Sequence, residues 1–345
     1  MRANDVEMAR LFSRAESRQM CLAPSSEQVR SNLRRRVERG EVVRPARGMF
    51  ARTTYWNALT RSRQMLHMMR TMQDAHPDWV FCHESAAAAF GLAVPYERLR
   101  SVHVSTSRSV RNASSKGVRW HVVEGDGTAV VRGVRVTSLA RTVFDCMRTS
   151  GFDQALATAD SALRVSGMTS ASFAACFEHM GGTHTGTAHA VRTMRYADAR
   201  SESGGESIAR AVMIRRGFAL PELQVVLPQP LNRERSFRVD FLWNRTDGGK
   251  VLGEFDGMQK YEDATMLAGR SSLRALADER HREAQLTLYG MPIVRFSYQD
   301  VMDEGRFAEL LDRYGVPRND EDARIERRLA RSRSTSAHLF TVIPF

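Results

Sequence analysis

Two short stretches, Phe237 to Trp243 (FRVDFLW) and Val251 to Phe255 (VLGEF), each set a carboxylate in the middle of an otherwise apolar, β-prone run. An ionised group in a buried strand is costly unless a cation or hydrogen-bond donors meet it, so Asp240 and Glu254 constrain both the fold and the chemistry of this part of the chain. Around them the pattern reads as helix, strand, strand, strand, helix, strand. The helices are expected at Glu202 to Gly217 and Leu273 to Tyr289, and two further strands at Leu223 to Leu227 and Met291 to Tyr298. Side chains repeat with period two along a strand, so Asp256 shares a face with Glu254. Glu206 stands on the helix before them.

Carboxylates gathered in this way suit Mg²⁺ or Mn²⁺, hard ions that take oxygen ligands and keep several waters. Glu206, Asp240, Glu254 and Asp256 are the expected metal ligands. A bound ion would lower the pKa of an attacking water and offset charge on a scissile phosphate, which is the chemistry of phosphodiester hydrolysis.

The E…D…ExD series resembles the PD-(D/E)xK nuclease superfamily. The stretches RVDFLW, GEFDGMQKY and ERHREAQLTLYGMPIVRF are similar to very-short-patch-repair-like endonuclease domains, over about residues 200 to 300. The resemblance implies a restriction-endonuclease-like α/β domain with Asp240, Glu254, Asp256 and Lys260 as catalytic residues. Two positions depart from the pattern. Asp256 stands where the superfamily has a lysine, leaving Lys260 to swing in or to be an ordinary surface lysine. The following helix offers Glu279, Arg280, Arg282 and Glu283 in place of the usual acid and base. The alternative is a nuclease fold retained as a scaffold without catalysis.

Charge points elsewhere for nucleic-acid affinity. The 345 residues carry a net +12, yet residues 201–317 hold 16 basic and 18 acidic residues, whereas residues 1–52 hold 12 and 6 and residues 53–200 hold 17 and 11. Only three of the 51 basic residues are lysines, so the excess is almost all arginine. DNA affinity is therefore expected within residues 1–200.

The N-terminal pattern agrees with that placement. Residues 4–14 can form a helix with Val6, Leu11 and Phe12 inward, followed by a helical turn from Arg18 to Leu22. Ser25 and Gln28 make a capping-box pattern for a helix in which Val29, Leu33 and Val37 face a core until Gly40 stops it. The other side of that helix, with Ser26, Gln28, Arg30, Ser31, Arg34 and Arg35, could bond base edges or phosphates in a major groove. After Gly40 come two short strands and a turn flanked by Arg44 and Arg47, in the order of a winged helix-turn-helix.

These 52 residues resemble the N-terminal domain of AbiEi-family antitoxins, in which a winged helix binds the operator of its own operon. FCHESAAAAFGL (81–92) and GVRVTSLARTVFDC (133–146) are similar to the continuation of such proteins. The resemblance implies a regulator that binds double-stranded DNA and has a cognate toxin as partner.

In the middle segment, residues 79–92 read as a strand start and an Ala-rich helix, and Val102 to Ser105 and Val118 to Val123 as strands. Thr137 or Ser138 caps a helix holding Arg141 and Asp145 at i, i+4, read as a structural ion pair. His83, Glu84, His103 and His121 fit no metal-ligand spacing and are read as surface or strand-face residues. Four cysteines without a C-x-x-C pair give neither a disulfide framework nor a cysteine zinc site, only buried reduced thiols.

The expectation is a cytoplasmic multidomain α/β protein with no membrane segment. A winged helix-turn-helix spans 1–52, an α+β middle domain 53–200, a restriction-endonuclease-like domain 201–317 and a loose basic tail 318–345. The stretch Asp198 to Gly205 is read as a linker. A DNA-binding regulator and an active metal-dependent endonuclease are the two functional readings.

Overall fold

In a computed structural model of the protein, the described residues are 3–107, 117–123, 127–182, 184–257, 284–286 and 288–319. The chain is mixed α/β and divides between Ala197 and Asp198 into two compact units. No helix among the described residues is long and apolar enough to cross a membrane.

The first unit opens with α1 (Ala3–Ser17) and α2 (Glu27–Glu38), followed by β1 (Val42–Val43) and β2 (Ala51–Arg52), an antiparallel pair. Met8, Phe12, Leu22, Leu33, Val42 and Phe50 form one cluster that closes this part. Val6 is exposed, and Met8 takes its expected place, because the inward stripe of α1 runs through residues 8, 12 and 15. The α2 helix is capped by Ser26 rather than Ser25, its hydroxyl accepting the Val29 N–H at 3.3 Å. Arg18 to Leu22 is a turn, not a helix, and Leu22 pairs with Phe50 beside the hairpin.

Cys21, Met49 and Ala51 pack into a second cluster, with Trp56 of α3 (Thr53–Asn57) and Met65, Met69 and Met72 of α4 (Arg61–Ala75). The hairpin thus shares a core with α3 and α4.

The middle sheet is stitched together by one residue. The parallel pair β3 (Val102–Thr106) and β4 (Val118–Val122) and the antiparallel pair β5 (Thr128–Val131) and β6 (Val134–Thr137) both bridge to Phe81. The Phe81 N–H donates to Arg135 O at 2.8 Å, and Phe81 O accepts from Thr137 N at 2.9 Å. The chain then enters α5 (His83–Phe90), whose five central residues from Ser85 to Ala89 are all buried against β3 and the helices. Helices α6 (Leu139–Arg148), α7 (Phe152–Ser166), α8 (Ser170–Gly181) and α9 (Thr187–Met194) build a separate helical core around Phe144, Phe173 and Phe177.

The second unit begins with α10 (Gly204–Arg216) and continues through β7 (Glu222–Pro228), β8 (Ser236–Asn244) and β9 (Lys250–Asp256) to β10 (Ile293–Ser297). The strands lie in the order β10-β9-β8-β7, with β10 parallel to β9 and the other neighbours antiparallel. Two helices follow, α11 (Tyr298–Met302) and α12 (Glu304–Arg313). Phe241, Trp243, Val251, Phe255 and Phe296 meet Val212, Met213, Phe307 and Leu311 of the helices on one side, and Phe237, Val239, Leu242 and Leu252 meet Leu286 on the other.

The division between the two units falls at the start of Asp198 to Gly205, which runs without helix or strand to Ser203 before α10 begins. Ser201 is fully buried and bonds Ser207 at 2.9 Å, and Ser203 caps α10 by accepting from Glu206 N at 3.1 Å. Small polar residues here serve a helix start, which composition alone reads as a loop. Most of the expected 273–289 helix and nearly all of the 318–345 tail lie outside the described residues.

Candidate functional sites

The expected DNA face divides into residues that are tied and residues that are free. Gln28, Ser31, Arg34, Arg35, Arg44 and Arg47 are exposed. Arg34 pairs with Glu27 at 3.2 Å, and Arg30 with the same carboxylate at 2.6 Å. Ser26 spends its hydroxyl on the cap. Among the described residues, Arg35 on α2 and Arg44 and Arg47 on the hairpin form no side-chain ion pair or hydrogen bond. Arg36 turns the other way, bonding Asp5 at 2.5 Å, Glu41 at 3.1 Å and Asn32 at 2.9 Å, which fixes α2 against α1.

In the second unit the strand register sets Gln224 between Leu223, opposite Phe241, and Val225, opposite Val239, which places it across from Asp240. Gln224 is held at φ +53, and its Nε2 donates to Glu206 Oε2 at 3.2 Å and to Asp240 Oδ1 at 3.3 Å. One amide therefore links two of the expected ligands. Asp240 Oδ2 accepts the Phe255 N–H at 2.9 Å, and Glu206 Oε2 accepts the Glu202 N–H at 2.9 Å. Burial raises the Glu206 carboxyl above its ordinary value, and the neighbouring Asp240 adds to the rise.

Glu254 is buried and lies beside Arg295 in the parallel register of β9 and β10, while Asp256 is half-buried at the end of the strand. No three of Glu206, Asp240, Glu254 and Asp256 bring ligand oxygens within 4.8 Å of one another. Lys260, Glu279, Arg280, Arg282 and Glu283 lie outside the described residues. Gln224 escaped sequence reasoning because an amide in an apolar strand carries no charge signal, and its role comes only from the register.

The middle segment holds a group that linear spacing hides. The chain leaves the Phe81 position beside β3, so Cys82 and His83 start α5 next to His103, and Cys82 N–H donates to His103 O at 3.1 Å. The rings of His83 and His121 stack at 3.8 Å and those of His103 and His121 at 4.9 Å. His121 Nε2 lies 3.0 Å from His103 Nδ1, and Glu84 Oε2 lies 3.3 Å from that same nitrogen. Glu84 also accepts from Arg98 at 2.8 Å, and the fully buried Asp145 accepts from Arg141 at 2.7 Å and Arg148 at 2.8 Å.

His103 and His121 lie on strands, as one of the two expectations had it, whereas His83 and Glu84 start α5; His83, Glu84 and His103 are buried and His121 is half-buried. Arg141 and Asp145 form the expected ion pair, with Arg148 added. Burial pushes the His83 imidazole down to about 3 and His103 down to about 4, lowers His121, and pushes the Cys82 thiol well up. Among the described residues, Cys82, His83 and His121 are the one group of three whose ligand atoms all lie within 4.8 Å of one another.

No known family profile matches the chain. It is 30% identical over 236 residues to the uncharacterized proteins Rv2248 and MT2308 of Mycobacterium tuberculosis, covering 68% of its own length and 80% of theirs. The chain belongs to the same family as these two mycobacterial proteins.

Proposed function

We propose that the protein is a DNA-binding regulator that contacts double-stranded DNA through α2 and the β1-β2 hairpin, in the manner of a winged helix-turn-helix of the AbiEi type. The observation that carries this reading is that Arg35, Arg44 and Arg47, on two adjoining elements of a strongly basic segment, are exposed and unpaired among the described residues. Phosphate contacts need cations not already held by carboxylates, and these three qualify. Gln28 and Ser31, exposed on the same helix, supply base-reading groups. A cognate toxin is the protein partner that the AbiEi resemblance implies.

The test is a mobility-shift titration of the full chain on DNA from upstream of its own gene. A triple Arg35→Ala, Arg44→Ala, Arg47→Ala variant loses binding. Unchanged affinity in that variant rejects the reading.

A second reading, a Mg²⁺- or Mn²⁺-dependent endonuclease, is favoured by the helix–three-strand–strand order of the second unit and by Gln224 joining Glu206 to Asp240. In it Asp240 and Glu254 hold the ion, with Glu206 and Asp256 beside them and Lys260 stabilising the charged phosphate. Metal-dependent cleavage that Asp240→Ala and Glu254→Ala abolish supports it. Absence of cleavage on single- and double-stranded DNA with either metal removes it and leaves the regulator.

A further inference from the structure

From the Cys82, His83, His121 group we infer a site for a borderline divalent transition metal of the zinc class, set in the middle sheet and separate from the carboxylates of the second unit. The donor set is one sulfur and two imidazole nitrogens. Such a set selects zinc and its neighbours over Mg²⁺ or Mn²⁺, which take oxygen. Spacing within 4.8 Å is the range from which small side-chain rotations bring three donors to one ion.

Two further observations point to a ligand. Nδ1 of His83 is buried and has no hydrogen-bond partner among the described residues, a costly state for a polar atom at a fixed position. His83 also stands at φ +49, in the left-handed region, as the first residue of α5. The strained backbone holds the ring beside that of His121, where its Nδ1 has no partner among the described residues.

The surroundings resemble the support that bound metals require. A chain of contacts runs from Arg98 to Glu84, from Glu84 to His103 and from His103 to His121, fixing the plane of the last ring. Glu84 and Asp145 are each already neutralised by arginines, so they are supports rather than ligands. Metal binding releases the Cys82 thiol proton to solvent, and the resulting thiolate, bound through Sγ, offsets one of the ion's two positive charges. Three protein ligands leave one coordination position, and half-buried His121 marks the side from which water or a substrate oxygen can reach it. The stacked rings must splay from their 3.8 Å separation to direct both nitrogens at one ion.

The experiment uses the full chain, stripped with chelator and titrated with Co²⁺ and Zn²⁺. One equivalent of Co²⁺ is expected to give visible d–d bands of a four-coordinate ion and a near-ultraviolet thiolate charge-transfer band, both displaced by Zn²⁺. Cys82→Ser removes the charge-transfer band. His121→Ala, at a half-buried position, removes one nitrogen ligand and the intense visible bands. Cys176→Ser, at a half-exposed cysteine outside the group, leaves both sets of bands intact. His103→Ala weakens Zn²⁺ binding by roughly 10- to 100-fold. Circular dichroism of each stripped variant shows whether the fold persists. Absence of Co²⁺ bands from the stripped wild-type chain, or the same bands in folded Cys82→Ser and His121→Ala, overturns the proposal.

Discussion

Nε2 of His121 lies 3.0 Å from Nδ1 of His103, although the two residues are 18 apart in sequence. The strands that carry them run parallel, with Ser105 opposite His121 and His103 opposite Arg119, so the two rings share one face two residues out of step. A parallel pair needs a crossover between its strands, which separates its partners along the chain. Residues at the third corner, Cys82 and His83, arrive from the other side of β3.

DNA binding through the hairpin carries a salt signature. If Arg44 and Arg47 each contact a phosphate, the double alanine variant lowers the slope of log affinity against log salt by about 1.8, since each phosphate contact contributes about 0.9 on duplex DNA. Fluorescence anisotropy at several salt concentrations measures it. An unchanged slope places the contacts elsewhere. Deleting residues 1–52 is a poorer test, because Met49 and Ala51 belong to the core shared with α4.

Leu33 is fully buried at the centre of the first cluster. Leu33→Ala is expected to destabilise that cluster by about 2–5 kcal/mol, from lost apolar contact and the cavity left behind. Urea unfolding followed by far-ultraviolet circular dichroism reads the change, and under the proposed regulator reading DNA binding falls with it because α2 loses its seat.

Asp145 holds two arginines in the interior of the middle region. Asp145→Ala removes the buried carboxylate that Arg141 and Arg148 share and is expected to cost about 3–5 kcal/mol. Thermal unfolding of the variant beside wild type checks this. A change under about 1 kcal/mol would show that Arg141 finds water or another acceptor.

Gly205 precedes Glu206 on α10, and a Cβ built there falls 2.3 Å from two ring carbons of Phe255. Gly205→Ala therefore forces α10 away from β9, at a cost of about 1–3 kcal/mol. It also moves Glu206 from Gln224 and Asp240. The expected outcome is a lower unfolding midpoint, and, under the endonuclease reading, reduced cleavage.

Glu304 begins α12 and pairs with Arg215 and Arg216 at the end of α10. Burial raises its carboxyl, but the two guanidiniums outweigh that and hold it below the ordinary 4.5. A carboxylate with a depressed folded-state pKa stabilises the fold fully above the unfolded value and loses that contribution as pH falls. The second unit should therefore weaken below pH 4.5, and Glu304→Gln should flatten this acid limb. Urea midpoints between pH 3 and 6 measure it.

Sequence periodicity was enough to place α2 and its apolar stripe, the strands around Asp240 and Glu254, and α10 and the other two strands of the second unit, since these rest on local alternation and caps. It misplaced features that depend on a single local choice. Ser26 rather than Ser25 caps α2, and Val6 faces solvent where Met8 goes inward.

The chemistry-bearing groupings were decided only in three dimensions. Asp240 and Glu254 announce themselves as charges inside apolar runs, but Gln224 joins Asp240 to Glu206 through a register that no local pattern encodes. The histidines show the same limit more strongly. His83, His103 and His121 sit on an α-helix start and two parallel strands, and the pairing of Phe81 with β3 and of β3 with β4 is what draws them together. Local periodicity determines which way a side chain points along its own element, whereas proximity between elements is set by core packing and strand pairing over tens of residues.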